Sequence, residues 1–254
     1  MDYVDVAEAK KISGLRLVLT KGVPGPWGEA AKAIFNHKNI PFVAVAQHGG
    51  AENPGLVAWT RHRNAPIALF EDEAPRTSWL EILLLAERLA PEPTLVPEDI
   101  ETRRIMIGLA NEICSEQGFA WNARLLMFKA MLEAQGDAAT DNPMLSDYGY
   151  SPSSVAAAPD KMAAVLGTLT RQLTSQRESN SRYFVGKTLT AVDIYWAYFS
   201  QLIDALPPQQ NSMPNYLRQM WGYAASGLRM TPDPILMEQR NFIYDEHLVL
   251  PLDF

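Results

Sequence analysis

The segment Arg63-Asn64-Ala65-Pro66-Ile67-Ala68-Leu69-Phe70-Glu71-Asp72, followed by Arg76-Thr77-Ser78-Trp79-Leu80-Glu81-Ile82, constrains the fold more than any other part of the chain. A proline has no N–H to give a β-ladder, so Pro66 belongs at the start of a strand or in a special turn. The apolar run Ile67 to Phe70 reads as that strand, Glu71-Asp72-Glu73 as a hairpin turn, and Ala74 to Arg76 as a short returning strand. Thr77-Ser78 then stands where a long apolar helix begins and runs to about Leu89. A serine at a helix start offers a hydroxyl beside backbone N–H groups, which together suit a carboxylate. These pieces describe a pocket that could hold a peptide by its backbone at one end and by its carboxylate at the other.

Upstream, Met1 to Ser13 is polar and unpatterned and reads as a loose leader. Leu15 to Thr20 reads as a buried strand, and Gly22-Val23-Pro24-Gly25-Pro26 as a turn. From Trp27 the apolar residues Ala30, Ala31, Ile34 and Phe35 recur at helical spacing, with Asn39 and Pro41 ending the helix. Phe42 to Ala46 is a second strand, and a loop with one short helix near Gly55 to Arg61 leads to Asn64. The three prolines of Ala90-Pro91-Glu92-Pro93-Thr94-Leu95-Val96-Pro97 make a semi-rigid connector. Beyond it the chain reads as helical at 99–117, 119–135, 159–177, 190–205 and 213–226, with an irregular loop over 136–158. A mixed start followed by a run of helices implies two domains. The tail from Pro232 to Phe254 is rich in large apolar residues and is expected to pack back on the body.

Composition narrows the function. With 254 residues and 47% hydrophobic content the chain can bury a sizeable core. A net charge of −7 and the absence of any Lys/Arg block argue against a nucleic-acid partner. No apolar run approaches the length of a membrane span, and Met1-Asp2-Tyr3-Val4-Asp5 lacks a signal-peptide layout, so a soluble cytoplasmic protein is expected. The single cysteine, Cys114, excludes an internal disulfide framework, and the four histidines show no metal-ligand spacing.

The order βαβ–ββα, a proline before the third strand and a serine at the last helix start resemble the glutathione transferase superfamily. A second similarity lies in Phe184-Val185-Gly186-Lys187-Thr188-Leu189-Thr190-Ala191-Val192-Asp193-Ile194, which is similar to that family's Gly-x-x-x-(Ser/Thr)-x-x-Asp segment. Physically, Thr190 caps a helix there and Asp193 reaches back to the cap N–H. The resemblance covers roughly residues 14 to 226. It implies an α/β thioredoxin-like N-terminal domain at 14–90, a linker at 91–98 and an all-helical domain with a C-terminal tail at 99–254. It also implies a homodimer, glutathione as co-substrate, and a cis bond before Pro66. Ala65 and Pro66 would pair with the cysteinyl backbone, and Thr77 and Ser78 would hold the γ-glutamyl carboxylate. His48 and Arg61, with His62 and Arg63 nearby, lie in the region that meets the glycyl carboxylate in that family.

The chain departs from the family at the thiol. The stretch Thr20-Lys21-Gly22-Val23-Pro24-Gly25-Pro26-Trp27-Gly28 holds no Tyr, Ser or Cys to activate glutathione. The candidates that remain are the Trp27 and Gly28 amides at a helix start, the Thr20 hydroxyl and the Lys21 charge. Cys114 lies in the helical half, which argues against a thiol–disulfide mechanism. Phe119, Trp121, Met127, Phe128, Tyr148 and Tyr150 are either helix core and loop anchors or the wall of a cleft for an apolar second substrate. The sequence therefore supports two readings. One is attack by the glutathione thiolate on an apolar electrophile, as in detoxifying transferases. The other is a non-catalytic ligand-binding or protein-interaction module on the same fold.

Overall fold

The computed structural model describes residues 1–136 and 141–254, which form two compact units, 1–95 with 248–254, and 96–247.

The first unit is built on a four-stranded sheet. Its elements are β1 (Tyr3–Val4), α1 (Val6–Ala9), β2 (Leu15–Thr20), α2 (Pro26–His37), β3 (Val43–Gln47), α3 (Pro54–Thr60), β4 (Ile67–Phe70) and α4 (Trp79–Leu89). The strand order is β1-β3-β2-β4. β2 and β3 run parallel, with Thr20 opposite Gln47, while β4 runs antiparallel to β2, with Val18 opposite Ile67. Five of the six β2 residues are buried, Arg16 among them, and the apolar residues Leu17, Val18 and Leu19 are consecutive rather than alternating. Val18, Val45, Leu56, Ile67 and Leu69 form one core cluster, with Val4, Val6 and Trp59 packed against it.

Three sequence expectations change here. The leader is not loose: Tyr3 and Val4 add a parallel strand to β3, and Asp5 caps α1 through the Glu8 N–H. Nothing local predicts this, because the strand is two residues long and its ladder partner lies about forty residues away. The short fourth strand is reduced to one bridge, in which Ala68 and Arg76 exchange two hydrogen bonds of 2.9 Å. The last residues join the first unit, where Leu252 is buried and Lys32 donates to the Asp253 carbonyl.

The connector is held by side chains as well as by its prolines. Lys38, with no exposed side-chain area, pairs with Glu87 at 2.7 Å and donates to the Pro93 carbonyl at 2.7 Å. Glu87 in turn accepts from the Leu95 N–H and the Thr94 hydroxyl. Leu95 is fully buried beneath this knot.

The second unit is helical: α5 (Ile100–Cys114), α6 (Phe119–Gln135), α7 (Pro143–Asp147), α8 (Pro152–Glu178), α9 (Ala191–Phe199), α10 (Asn215–Ser226) and α11 (Pro234–His247). α6 packs on α8 and α10, and α9 packs between α5 and α11. Of the loop expected over 136–158, residues 137–140 lie outside the described residues. The rest is largely helical, since Ser151 caps α8 in a reciprocal pair with Ser154 and Pro152 takes the first helical position. α8 therefore begins well before residue 159 and carries Pro159 inside it. That ring removes one bond of the helical ladder, but it is buried, and packing outweighs the local loss. The helix expected to reach residue 205 tightens into a 3-10 turn at Ser200–Leu202.

Asp193 organises this unit. The Phe184 N–H and the Gln239 amide donate to one of its oxygens, and the Thr190 N–H and hydroxyl donate to the other, all at 2.9–3.0 Å. Burial pushes its carboxyl up to about 6, against the pull of these four donors.

Candidate functional site

The candidate site lies at one end of the sheet in the first unit. It starts where β2 and β3 finish side by side. The Thr20 hydroxyl donates to Gln47 Oε1 at 2.7 Å. Gln47 is buried, and its amide donates to the His48 carbonyl at 3.0 Å and the Arg63 carbonyl at 3.1 Å. The Asn53 amide donates to the His48 and Ala51 carbonyls at 2.9 Å and to the Arg63 carbonyl at 3.4 Å. Two amide side chains thus hold the segment after β3 against the segment before β4.

Immediately beyond Arg63 comes the Ala65–Pro66 peptide bond, which is cis. The ladder between β2 and β4 begins at Ile67, so Ala65 stands outside the paired register. Both residues are partly exposed. An Ala65 N–H and C=O in this position can pair with an extended peptide laid along the strand end.

Ser78 is the N-cap of α4. Its hydroxyl oxygen accepts from the Glu81 N–H at 3.3 Å, and the Glu81 carboxylate reaches back. One carboxylate oxygen, Glu81 Oε2, accepts from the Thr77 N–H at 3.1 Å, the Ser78 N–H at 3.0 Å and the Ser78 hydroxyl at 3.0 Å. Donation from Thr77 and Ser78 holds the Glu81 carboxyl below its ordinary range. The donors expected to hold a ligand carboxylate are therefore engaged by a carboxylate of the chain itself.

At the third corner α2 starts at Pro26, with Gly25 as an N-cap that brings no side-chain hydrogen bond. Trp27 and Gly28 follow in the first turn, both partly exposed. A Cβ on Gly28 would sit 3.2 Å from Leu19 Cδ2, so the helix start lies close on β2. Glu29, next in the turn, is buried and bonds Lys32 at 2.8 Å; burial raises its pKa while Lys32 pulls it back. Tyr3 lies in the same acidic neighbourhood. Its phenol is pushed up to about 12 by burial first, then by Glu29 and Asp253.

The residues singled out by sequence fall into three groups. Thr20, Ala65 and Pro66 are joined through Gln47 and Arg63, while Thr77 and Ser78 form the α4 corner and Trp27 and Gly28 the α2 corner. His48 contributes its backbone carbonyl to the Gln47 network, and its side chain is exposed. Arg61 is an exposed residue at the end of α3 with φ 65°. Lys21 is exposed, with its ammonium 6.0 Å from the Tyr3 ring.

The sequence reading missed Gln47, Asn53 and Glu81. For Glu81 a signal existed, since Ser78-x-x-Glu81 is a capping-box pattern. For Gln47 and Asn53 there was none, because their partners are chosen in space.

In the second unit, Phe119 and Met127 are fully buried and Phe128 nearly so, which makes them core rather than cleft wall. Phe119 packs on Trp196 at 5.5 Å. Tyr148 is an anchor: its carbonyl accepts from Trp121 Nε1 at 3.0 Å, and its ring meets Trp121 and Phe128. Cys114 is buried, and burial pushes its thiol well up, so it is not poised for thiolate chemistry. Among the described residues no helix is long and apolar enough to cross a membrane.

A parallel-and-antiparallel sheet with a cis-proline before β4 and a serine-capped α4, followed by a helical unit, is the glutathione S-transferase fold. Solved structures show the likeness along nearly the whole chain. A glutathione S-transferase from Methylobacterium radiotolerans, in complex with glutathione sulfonate, aligns with a TM-score of 0.61 at 16% identity, covering 91% of each chain. A rice glutathione S-transferase in complex with glutathione aligns at 0.63 and 17% identity, covering 94% of this chain and 93% of its own. Maleyl pyruvate isomerase, a bacterial glutathione S-transferase of the zeta class, aligns at 0.59 and 16%, covering 91% and 92%. No family model and no curated protein matches the sequence.

Proposed function

We propose that the chain binds glutathione in the first unit and uses its thiolate against an apolar electrophile. The observation that carries the reading is the position of Ala65 at the head of β4, outside the ladder with β2, in one unit with the Ser78-capped α4. In this reading Ala65 pairs with the cysteinyl backbone. Thr77 and Ser78 face the γ-glutamyl end, and the exposed side chains of His48 and Arg61 supply positive charge near the glycyl carboxylate. The complex of the rice protein with glutathione and that of the Methylobacterium protein with glutathione sulfonate support the choice of ligand.

The thiolate is assigned to the first turn of α2. Backbone N–H groups and the helix dipole there favour a negative sulfur. Thr20 is a poorer candidate, because its one hydroxyl proton goes to Gln47 Oε1 and only lone pairs remain to face a sulfur anion. Catalysis would come from a larger thiolate fraction and from holding the two reactants together. In the wider reading the protein is cytoplasmic and homodimeric.

The Thr20–Gln47 bond also favours the second reading, a ligand-binding or protein-interaction module without turnover. Calorimetric titration with reduced glutathione, followed by turnover assays on an aryl halide and an unsaturated diacid, separates the two. Saturable binding with turnover supports the transferase. Binding without turnover of any electrophile supports the module. No binding up to millimolar glutathione, in protein shown to be folded, overturns the transferase and favours a protein-interaction module.

A further inference from the structure

We infer that the chain carries a second ligand site, for a dianionic phosphate group, in the hollow around Arg16 at the other end of β2 from Thr20. The hollow measures about 370 Å³ and is lined by residues of the first unit alone. It stands apart from the glutathione reading and does not depend on it.

Arg16 is a buried charge without a counter-ion. Taking an ion out of water is costly unless an opposite charge meets it. Among the described residues four cationic side chains are buried: Arg16, Lys32, Lys38 and Arg240. Lys32 meets Glu29 at 2.8 Å, Lys38 meets Glu87 at 2.7 Å and Arg240 meets Asp204 at 2.9 Å. Arg16, only 6% exposed, forms no ion pair. Its two terminal nitrogens donate to the Ile12 and Glu71 carbonyls at 2.7 Å, and its Nε has no acceptor. Two carbonyls orient the guanidinium without neutralising it.

The neighbours add to this charge. The Arg16 guanidinium carbon lies 5.8 Å from the centre of the Trp59 ring and the Lys10 ammonium 6.0 Å from it, so one indole gathers two cations. Lys10 and Lys11 line the hollow from exposed positions, and neither forms an ion pair. Three carboxylates also line it, those of Glu71, Asp72 and Glu73. Glu73 is overmatched, since Arg76 bonds it at 2.9 Å and Arg88 at 2.6 Å. One oxygen of Glu71 accepts from the Gly14 N–H at 3.0 Å. Asp72 is exposed. With Arg76 and Arg88 counted, five cations stand against three carboxylates, in a chain whose net charge is −7.

A phosphate group matches this surplus of two, because it carries about −1.5 to −2 at neutral pH. Its oxygens suit a planar guanidinium fixed in place, with ammonium groups beside it. The hollow has the volume of an ordinary small-ligand pocket, so the phosphate can be free or can carry a small organic body against Trp59.

The test is calorimetric titration of the intact protein, at fixed ionic strength, with inorganic phosphate and with glycerol phosphate. The wild type is compared with Lys10→Gln/Lys11→Gln, Asp72→Asn and Arg16→Lys. A control, Arg104→Gln/Lys187→Gln, removes two exposed charges from the second unit. The Lys10, Lys11 and Asp72 changes touch exposed side chains and leave the core alone, so they decide the matter even where Arg16→Lys fails to fold.

The expected result is saturable binding by the wild type. Lys10→Gln/Lys11→Gln weakens it roughly tenfold, the scale of two partly exposed charge contacts. Asp72→Asn tightens it by a few-fold, Arg16→Lys weakens it by loss of the planar fork, and the control leaves it unchanged. Tighter binding of glycerol phosphate marks the ligand as a phosphorylated metabolite, and tighter binding of inorganic phosphate marks it as the free ion. No saturable binding of either probe by folded wild type overturns the site. Equal losses in the control and in Lys10→Gln/Lys11→Gln overturn it as well, since the binding then follows net charge alone.

Discussion

Thr20 and Gln47 close the ends of two parallel strands: the Thr20 hydroxyl donates to Gln47 Oε1 at 2.7 Å, and the Gln47 amide spans to the carbonyls of His48 and Arg63. A side chain at the end of β3 thereby sets the position of the segment that leads into the cis-proline. The site's backbone corner is held from beneath by one buried amide.

Gln47→Leu fills the same volume and removes every one of these bonds. The Thr20 hydroxyl loses its partner and the Arg63 carbonyl loses the shorter of the bonds it accepts from Gln47 and Asn53, at a cost of about 1–3 kcal/mol. Denaturant unfolding should show that loss, and limited proteolysis should cut faster between residues 48 and 65. Unchanged stability and cutting would mean that Asn53 alone holds the two segments.

Thr20→Val separates a strut from a catalytic hydroxyl. Valine keeps Cγ2, which lies close under Gly49, and removes only the hydroxyl. Stability should fall by about 1 kcal/mol. The pKa of the bound glutathione thiol, read from thiolate absorbance against pH, should move by well under about one unit. A rise of about one unit or more would place the hydroxyl on the sulfur.

Lys38→Met unties the connector. The Pro93 carbonyl and the Glu87 carboxylate both lose a buried partner, and the variant should be less stable by about 2–4 kcal/mol. Thermal unfolding measures this directly. Because Glu87 keeps the Leu95 N–H and the Thr94 hydroxyl, the double variant Lys38→Met/Glu87→Gln should recover part of the loss.

Asp193 should write a slope into the pH dependence of stability. Burial raises its folded-state pKa from 3.8 to about 6. The folded state therefore holds the proton more tightly than the unfolded state. The stabilisation is fully present below about 3.8 and is lost as pH rises through about 6, with a span of order 3 kcal/mol. Asp193→Asn is destabilised by its imperfect match to four donors and lacks this slope. Its deficit relative to wild type should shrink between about pH 4 and pH 6. A deficit that is constant with pH would show that the four donors hold Asp193 ionised throughout.

Local patterns in the chain determine much of this protein by themselves. Leu15 to Thr20 had to be buried, Pro66 had to open a strand, Ser78 and Thr190 had to start helices, and the proline run had to break the chain. Each follows from one residue's own backbone chemistry or from a spacing of a few residues. The Ser78-Trp79-Leu80-Glu81 box is equally local and is readable in the same way.

Only the tertiary structure decided the rest. Tyr3 and Val4 become a strand because β3 offers an edge, and Pro159 stays inside α8 because its surroundings bury it. Phe119 and Met127 are core because the second unit closes over them. The proton of Thr20 goes to Gln47 because two parallel strands happen to end level. Propensity is a property of a segment, but a hydrogen-bond partner or a buried face belongs to the packed arrangement, and the largest energies are settled there.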